Sequence, residues 1–107
     1  MLGDVPLRLH LHNTRGSGLA SVFAGLLEGV TIFDASVSGL GGCPFAPGAT
    51  GNIATADLVN MLESMGLETG VDLPKLIECE KMVKEVVGRD LPSHVMKAGP
   101  TPWAVCR

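Results

Sequence analysis

The chain has 107 residues, with 8 Lys and Arg against 11 Asp and Glu and a formal net charge of -3. This length allows one domain at most, and no apolar run reaches the ~20 residues of a membrane-spanning helix. The mildly acidic balance, without a patch of Lys and Arg, argues against nucleic acid as the main partner. Residues 1–4 carry an acid and no basic or apolar leader, so we expect neither a signal peptide nor a transit peptide.

Cysteine usage and the distribution of charge add two expectations. The three cysteines are odd in number and form no C-x-x-C pair, which fits a reducing cytosol and predicts a cytoplasmic protein. We expect Cys79 and Cys106 to be bystanders. Between Gly16 and Ala56 the only charged residues are one Glu and one Asp. A small free-standing domain carries charge over its whole surface, so this stretch predicts the interior of something larger.

The first half of the chain predicts a strand, a helix and a second strand. Residues 7–12 alternate between apolar and polar, which places the leucines on one face of a strand and the polar side chains on the other. A helix is predicted over 17–28, where apolar residues recur at helical spacing and Gly29 follows the end. Residues 30–36 are rich in strand-forming residues and predict a buried strand.

The second half begins with a loop. Residues 37–51 hold five glycines and two prolines, which no regular element tolerates. Residues 52–54 predict a short strand, and Thr55 then caps a helix over 56–65. Another helix is predicted over 73–87, with Asp72 as its N-cap and Gly88 at its end. Residues 89–107 show no clear period and are interpreted as a tail.

The order of these elements predicts βαβ crossovers and the parallel sheet of an α/β protein. A parallel sheet is covered on both faces, and two strands with a short third one do not meet that requirement. The elements therefore predict a segment of a larger α/β fold. We expect the isolated segment to fold poorly or to self-associate.

Two features carry candidate chemistry. His10 and His12 share one face of the first predicted strand, so both imidazoles are able to bind a single metal ion; an exposed polar stripe on an edge strand is the alternative. The Gly-rich residues 38–52 lack the Lys-Ser/Thr of a phosphate-binding loop. They form either a flexible linker or a mobile lid that brings Cys43 over a site.

Two further titratable residues receive structural interpretations. Asp34 ends the second predicted strand and is either a catalytic acid or a structural hydrogen-bond acceptor. We favour the structural role because the sequence identifies no partner for it. His94 stands alone in the predicted tail and is interpreted as a solvated surface residue.

Three motifs together resemble a known enzyme family, the hydroxymethylglutaryl-CoA lyases. They are HLHNTRG at 10–16, FDASVSGLGGCPF at 33–45 and GATGNIAT at 48–55. The similarity continues in order from about Pro6 to Gly99. The GLGGCP motif followed by GATGN is specific to these lyases, whereas the His-x-His strand is shared with isopropylmalate and homocitrate synthases.

The resemblance implies a TIM (β/α)₈ barrel, a fold of ~250 residues. Residues 1–99 then supply about the last three β/α units of that barrel, and residues 100–107 form a tail. The resemblance also implies that His10, His12 and Asn52 bind a divalent cation, Mg²⁺ or Mn²⁺, with substrate oxygens completing the ligands.

The reaction implied by the resemblance is cleavage of 3-hydroxy-3-methylglutaryl-CoA to acetyl-CoA and acetoacetate, a step of leucine degradation and ketone-body metabolism. Cys43 and His10 are the residues implied in its acid–base chemistry. The implied partners are an acyl-CoA substrate and either a second copy of the chain or a missing barrel half, with no nucleic acid and no membrane.

Departures from the family keep two other interpretations open. Asn13 and Arg15 stand where the best-known lyases have Asp and Tyr, and Ala56 replaces a common Glu just before Asp57. The family's Arg-Asp pair on the first barrel strand is not among these residues. The alternatives are a lyase for a related branched 3-hydroxyacyl-CoA and a catalytically silent, truncated barrel fragment.

Overall fold

The fold is known from a computed structural model, which describes residues 3–42 and 51–102. Its elements alternate strand and helix in the first half, as the sequence predicts, and three helices follow in the second half, of which the sequence predicts the first two. In chain order they are β1 (Arg8–His10), α1 (Gly18–Leu27), β2 (Ile32–Asp34), a 3₁₀ turn (Val37–Gly39), α2 (Thr55–Ser64), α3 (Leu73–Val87) and α4 (His94–Ala98). No helix of the described ranges has the length and apolar character to cross a bilayer.

The two strands form the parallel pair that the sequence predicts, with α1 as the crossover between them. His10 of β1 lies opposite Asp34 of β2. Each strand has three residues and is shorter than predicted. The prediction that β2 is buried is wrong at Ile32, which is 41% exposed and lies on the same face of the pair as His10, because side chains alternate along a strand.

The predicted strand over 52–54 is wrong, because this segment makes isolated bridges instead of a ladder. Asn52 pairs antiparallel with His12, and Ala54 pairs parallel with Ser36. The segment therefore contacts the chain just after β1 and just after β2. Its central residue, Ile53, is 1% exposed and anchors the segment in the core.

Local capping explains where the longer helices begin and end. α3 spans the predicted residues: the Asp72 carboxylate accepts a hydrogen bond from Lys75 N at 3.2 Å, and Gly88 ends the helix at a φ of 77°. α1 is one residue shorter at each end than predicted. α2 begins one residue earlier than predicted, with Ala54 and not Thr55 as the N-cap.

The interpretation of residues 89–107 as a tail is wrong for 94–98, which form α4. The Ser93 hydroxyl caps this helix by accepting a hydrogen bond from Met96 N at 3.3 Å. Leu91, Val95 and Met96 are buried. A five-residue helix is too short to show a helical period in the sequence, so burial of these side chains was not predictable from the pattern.

Two apolar clusters form the core, and α2 contributes to both. One cluster joins α2, α3 and α4, and the other joins α1 and α2 around Ile53. Their buried members are Ala56, Val59, Leu73, Ile77 and Val95 in the first, and Val22, Ile53 and Leu58 in the second. Because α2 follows directly after residues 51–54, its packing also fixes the position of Asn52.

A buried carboxylate on α2 holds α4 in place. Asp57 accepts hydrogen bonds from Val95 N at 2.7 Å and from His94 N at 3.0 Å. His94 is solvated as predicted, with a side chain that is 79% exposed. It is not alone, however, because its Nδ1 lies 3.1 Å from Asp57 Oδ2. Asp57 is thus a structural acceptor for the first turn of α4.

Candidate functional site

The two histidines of the predicted metal pair meet at the carboxyl end of β1. His10 Nε2 lies 3.2 Å from His12 Nε2, and the rings are edge to face with centroids 5.1 Å apart. Neighbouring ligands of an octahedral cation, at about 2.1 Å from the ion, are about 3.0 Å apart. The spacing of the two nitrogens therefore fits shared coordination of one cation.

The neighbouring carboxylate of Asp34 favours the metal-binding tautomer of His10. Asp34 Oδ2 lies 3.7 Å from His10 Nδ1, and Asp34 Oδ1 lies 3.7 Å from Arg8 Nε. A negative charge beside Nδ1 favours a proton there, which leaves the lone pair on Nε2. The sequence identifies no partner for Asp34, but the parallel register, which the sequence does not specify, places it opposite His10.

Asn52 is brought to the histidines by backbone pairing across 40 residues of sequence. Asn13 N donates to Gly51 O at 2.9 Å, and Ile53 N donates to Leu11 O at 3.3 Å. These two hydrogen bonds flank His12 and Asn52, which makes them a non-hydrogen-bonded pair. In such a pair the side chains lie on the same face and at the closest cross-strand spacing.

The Asn52 carboxamide has one satisfied end and one unsatisfied end. Its Nδ2 donates to Leu40 O at 3.0 Å, whereas its Oδ1 is buried without a hydrogen-bond partner. A Cβ added at Gly41 would lie 2.6 Å from Nδ2, so only glycine permits this approach. Since buried polar atoms are nearly always paired, the unpaired oxygen of a residue that is bridged to His12 fits a third ligand.

The donor set matches a cation that accepts both nitrogen and oxygen ligands. Within 3–42 and 51–102 no three His, Cys, Asp or Glu residues cluster as a metal site, and the Asn52 carboxamide is the predicted third donor. Two imidazoles and one neutral oxygen form a mixed nitrogen and oxygen donor set, which binds a divalent cation when further oxygen ligands complete the shell; Mg²⁺ or Mn²⁺ stays the prediction from the resemblance.

The three cysteines fall in different parts of the chain. Cys43 and Cys106 lie outside the described residues, so the predicted roles of both stay predictions. Cys79 is a free, exposed thiol on α3.

Sequence reasoning missed one buried acid that contacts the loop carrying Asn52. Glu80 lies within the helix predicted over 73–87 and is fully buried. One signal was available: Glu80 lies seven positions after Leu73 and three after Ile77, both of which face the core. A Glu on the apolar face of an amphipathic helix indicates a buried carboxylate with internal partners.

Comparisons with known proteins identify the family of this chain. The HMGL-like family model matches residues 2–83. An (R)-citramalyl-CoA lyase of Chloroflexus aurantiacus is 50% identical over 97 residues, which are 91% of this chain and 31% of that protein. A hydroxymethylglutaryl-CoA lyase of Bacillus subtilis is 51% identical over 88 residues, which are 82% of this chain and 29% of that protein.

A solved structure shows the same likeness in three dimensions. An HMG-CoA lyase from Acinetobacter baumannii, in complex with coenzyme A and 3-methylmalate, superposes with a TM-score of 0.85 and 52% identity. The match covers 90% of this chain and 32% of that one. The chain thus spans about three-tenths of the length of the relatives it matches. Since the family model covers most of its residues, the chain belongs to the HMGL-like family.

Proposed function

We propose that this chain supplies the metal-binding part of an enzyme that cleaves 3-hydroxy-3-methylglutaryl-CoA to acetyl-CoA and acetoacetate. In this proposal the chain forms about the last three β/α units of a TIM (β/α)₈ barrel, with residues 1–99 as its barrel portion. Two observations support the fold assignment: the parallel βαβ unit and the superposition on about a third of an HMG-CoA lyase. The carboxyl ends of the strands are also where barrel active sites lie.

One observation carries the proposal: His10 Nε2 approaches His12 Nε2 to 3.2 Å, and His12 is bridged to Asn52, whose buried Oδ1 has no hydrogen-bond partner. These three atoms would hold a divalent cation, Mg²⁺ or Mn²⁺. When bound, such a cation supplies electrostatic stabilisation of the negative charge that develops on oxygen during carbon–carbon cleavage.

The residues around the three ligands hold them in a binding-competent state. The Asp34 carboxylate lies 3.7 Å from His10 Nδ1, and a proton on Nδ1 would leave Nε2 for a metal. The Leu40 carbonyl accepts from the Asn52 amide nitrogen, while Oδ1 has no hydrogen-bond partner. The exposure of both imidazoles leaves room for substrate oxygens at this end of β1. The chain therefore prepares the ligands before any substrate arrives.

Acid–base chemistry is assigned to His10 and Cys43 by resemblance to the lyases. Cleavage requires a base that removes the proton of the tertiary hydroxyl and an acid that protonates the carbon released from it. A thiol and an imidazole both exchange protons near neutral pH. The acyl-CoA substrate is the partner implied by this chemistry.

A related acyl group is the second candidate substrate. The relative named (R)-citramalyl-CoA lyase is as similar to this chain as the relative named hydroxymethylglutaryl-CoA lyase. Asn13, whose carboxamide accepts a hydrogen bond from Gly18 N at 3.0 Å, departs from the best-known lyases right after His12. Substrate choice is therefore tested directly by offering both thioesters. The cytoplasmic location stays a prediction from cysteine usage.

The test uses the full-length protein and three histidine variants. We expect the wild type with Mg²⁺ or Mn²⁺ to release acetoacetate and acetyl-CoA from 3-hydroxy-3-methylglutaryl-CoA, and EDTA to stop the reaction. His10→Ala and His12→Ala each remove a ligand, so activity falls by more than the 10- to 100-fold that loss of an outer-shell partner costs. His94→Ala is the matched control, because this exposed histidine lies on α4, and its activity stays near that of the wild type.

Two results decide against the proposal. Turnover of His10→Ala or His12→Ala at the level of His94→Ala would exclude the metal assignment. Faster cleavage of citramalyl-CoA than of 3-hydroxy-3-methylglutaryl-CoA by the wild type would replace the proposed substrate while keeping the site.

A further inference from the structure

Glu80 is a buried carboxylate that neither the metal site nor the helix caps account for. Its side chain is fully buried in the middle of α3. No Lys, Arg or His in the described part of the chain forms an ion pair with it. Burying a carboxylate is costly unless hydrogen bonds replace its water. The contacts that Glu80 does make therefore indicate its role.

The Gly-rich segment has two stems, which we define as residues 36–42 (first stem) and residues 51–56 (second stem). One oxygen of Glu80 is hydrogen-bonded to both stems. Glu80 Oε2 accepts a hydrogen bond from Ser38 N at 2.8 Å in the first stem and from Ala56 N at 3.2 Å in the second. The other oxygen, Oε1, is buried without a partner. Hydrogen bonds to a charged acceptor are the strong ones, so the carboxylate clamps both stems to α3.

The first stem needs this clamp because Ser38 holds an unfavourable backbone conformation. Its φ of 59° and ψ of 9° lie in the left-handed region, which costs a non-glycine residue about 1–2 kcal/mol. Ser38 is fully buried, and its Oγ donates to the Glu80 backbone oxygen at 3.0 Å. Glu80 therefore holds both the N–H and the hydroxyl of the strained residue.

The clamped residue leads directly to the group that orients Asn52. Leu40, two residues after Ser38, carries the carbonyl that accepts from Asn52 Nδ2. In the second stem, Ala56 lies four residues after Asn52. The stems also touch each other: a Cβ added at Gly51 would lie 2.5 Å from Gly41 O. A displacement of either stem therefore displaces the Asn52 carboxamide.

We propose that Glu80 is a positioning residue, which fixes the Asn52 carboxamide toward the histidines by clamping both stems to α3. This inference rests on the proposed function for the role of Asn52 as a ligand and deepens it by naming what sets that ligand. Glu80 is hydrogen-bonded to the two stems and not to the two histidines. It therefore acts on the site through Ser38 and Ala56 and does not touch the substrate.

The test compares Glu80→Leu and Glu80→Gln with Asp57→Asn in the full-length protein. Asp57 is the matched control because it is also a buried carboxylate that accepts two backbone N–H groups, but those belong to α4. Three quantities are measured: the Kd for Mn²⁺ by calorimetry, hydrogen–deuterium exchange of residues 36–42 and 51–56, and the melting temperature without metal.

We expect Glu80→Leu to raise the Kd for Mn²⁺ by about 10- to 100-fold, as loss of an outer-shell partner does, and to speed exchange in both stems. Glu80→Gln keeps one acceptor oxygen and the side-chain volume, so its Kd lies between those of the wild type and Glu80→Leu. Asp57→Asn lowers the melting temperature and leaves the Kd and the exchange of residues 36–42 unchanged.

A Kd and stem exchange like those of the wild type in Glu80→Leu would overturn the inference. So would an equal loss of Mn²⁺ affinity in Asp57→Asn, because general destabilisation would then explain both. If Glu80→Leu does not fold, Glu80→Gln takes its place. A raised Kd and faster stem exchange in Glu80→Gln support the inference, and wild-type values of both overturn it. Failure of the proposed function gives a different result. In that case the wild type neither binds Mn²⁺ nor cleaves the thioester, whereas substitution of Glu80 still speeds hydrogen–deuterium exchange in the stems.

Discussion

Replacing Asn52 with leucine separates binding from stability, because the two ends of its carboxamide have opposite energetic roles. Leucine has nearly the same shape as asparagine but neither donates nor accepts hydrogen bonds. At position 52 it removes the hydrogen bond to Leu40 O, and it also removes a buried oxygen without a partner. Asn60→Leu is the matched control, because both ends of that carboxamide are paired with Thr101, at 3.0 and 2.8 Å.

The magnitudes follow from these contacts. A hydrogen bond contributes about 1 kcal/mol net, whereas a buried polar group without a partner costs about 1–3 kcal/mol. Asn52→Leu therefore leaves the metal-free protein between unchanged and about 2 kcal/mol more stable. Asn60→Leu loses two hydrogen bonds and about 2 kcal/mol. The free energies of unfolding of the two variants thus differ by at least about 2 kcal/mol.

The assay is urea unfolding in EDTA, followed by Mn²⁺ titration of the folded variants of the full-length protein. We expect Asn52→Leu to be the more stable variant and to lose Mn²⁺ binding, and Asn60→Leu to be less stable and to bind Mn²⁺ like the wild type. The opposite outcome is a destabilisation of Asn52→Leu equal to that of Asn60→Leu, with Mn²⁺ affinity retained. In that case Oδ1 is not held unsatisfied for a ligand.

Three smaller perturbations test other parts of the structure. Gly18→Ala introduces a Cβ against the buried Ile53 side chain and should cost about 1–3 kcal/mol by overpacking; an unchanged urea midpoint would contradict this. At Gly88, where φ is 77°, an added Cβ would meet no neighbouring atom. Gly88→Ala should therefore lower the free energy of unfolding by about 1 kcal/mol through left-handed backbone strain alone, and a gain in stability would contradict this. The hydrogen bond from Lys84 lowers the pKa of the Asp90 carboxyl. The pair therefore stabilises the fold above the unfolded pKa of ~3.9, and this contribution disappears as the pH falls through the lowered pKa of the folded state. Lys84→Met should raise the Asp90 pKa in an NMR titration, and an unchanged pKa would exclude Lys84 as the cause.

The sequence specified those elements whose signals are local. α3 has an Asp at its N-cap, a proline in its first turn and a glycine at its left-handed end, so its bounds could be predicted from residues 72–88 alone. α4 also has an N-cap, Ser93, and a glycine after its end, but its five residues show no helical period. Its position depends on Asp57, which lies 37 positions earlier. No local pattern encodes that contact.

The candidate site divides in the same way. The shared face of His10 and His12 follows from the period of a strand, and the structure brings their Nε2 atoms together. The place of Asn52 beside them depends on an antiparallel bridge to His12, and the partner of Asp34 depends on the strand register. Both are long-range pairings that no local pattern predicts. The resemblance to a family predicted that Asn52 joins the histidines, whereas nothing in the sequence predicted the partner of Asp34.

The buried acids show why patterning alone is incomplete. Glu80 and Asp57 occupy helix positions that face the core, where a periodicity argument expects apolar residues. Each is stabilised by backbone N–H groups of a segment far away in sequence, so its environment is defined only once the helices are packed. At such positions the residue type that the local pattern predicts differs from the one that the structure or the function requires.

The most direct measurement is a crystal structure of the full-length protein with Mn²⁺, located by its anomalous scattering. We predict one ion within roughly 2.0–2.3 Å of His10 Nε2, His12 Nε2 and Asn52 Oδ1, with the Asn52 amide nitrogen still bonded to Leu40 O. An ion bound elsewhere, or an Asn52 oxygen turned away from both imidazoles, would contradict the central claim that these three residues form one metal site.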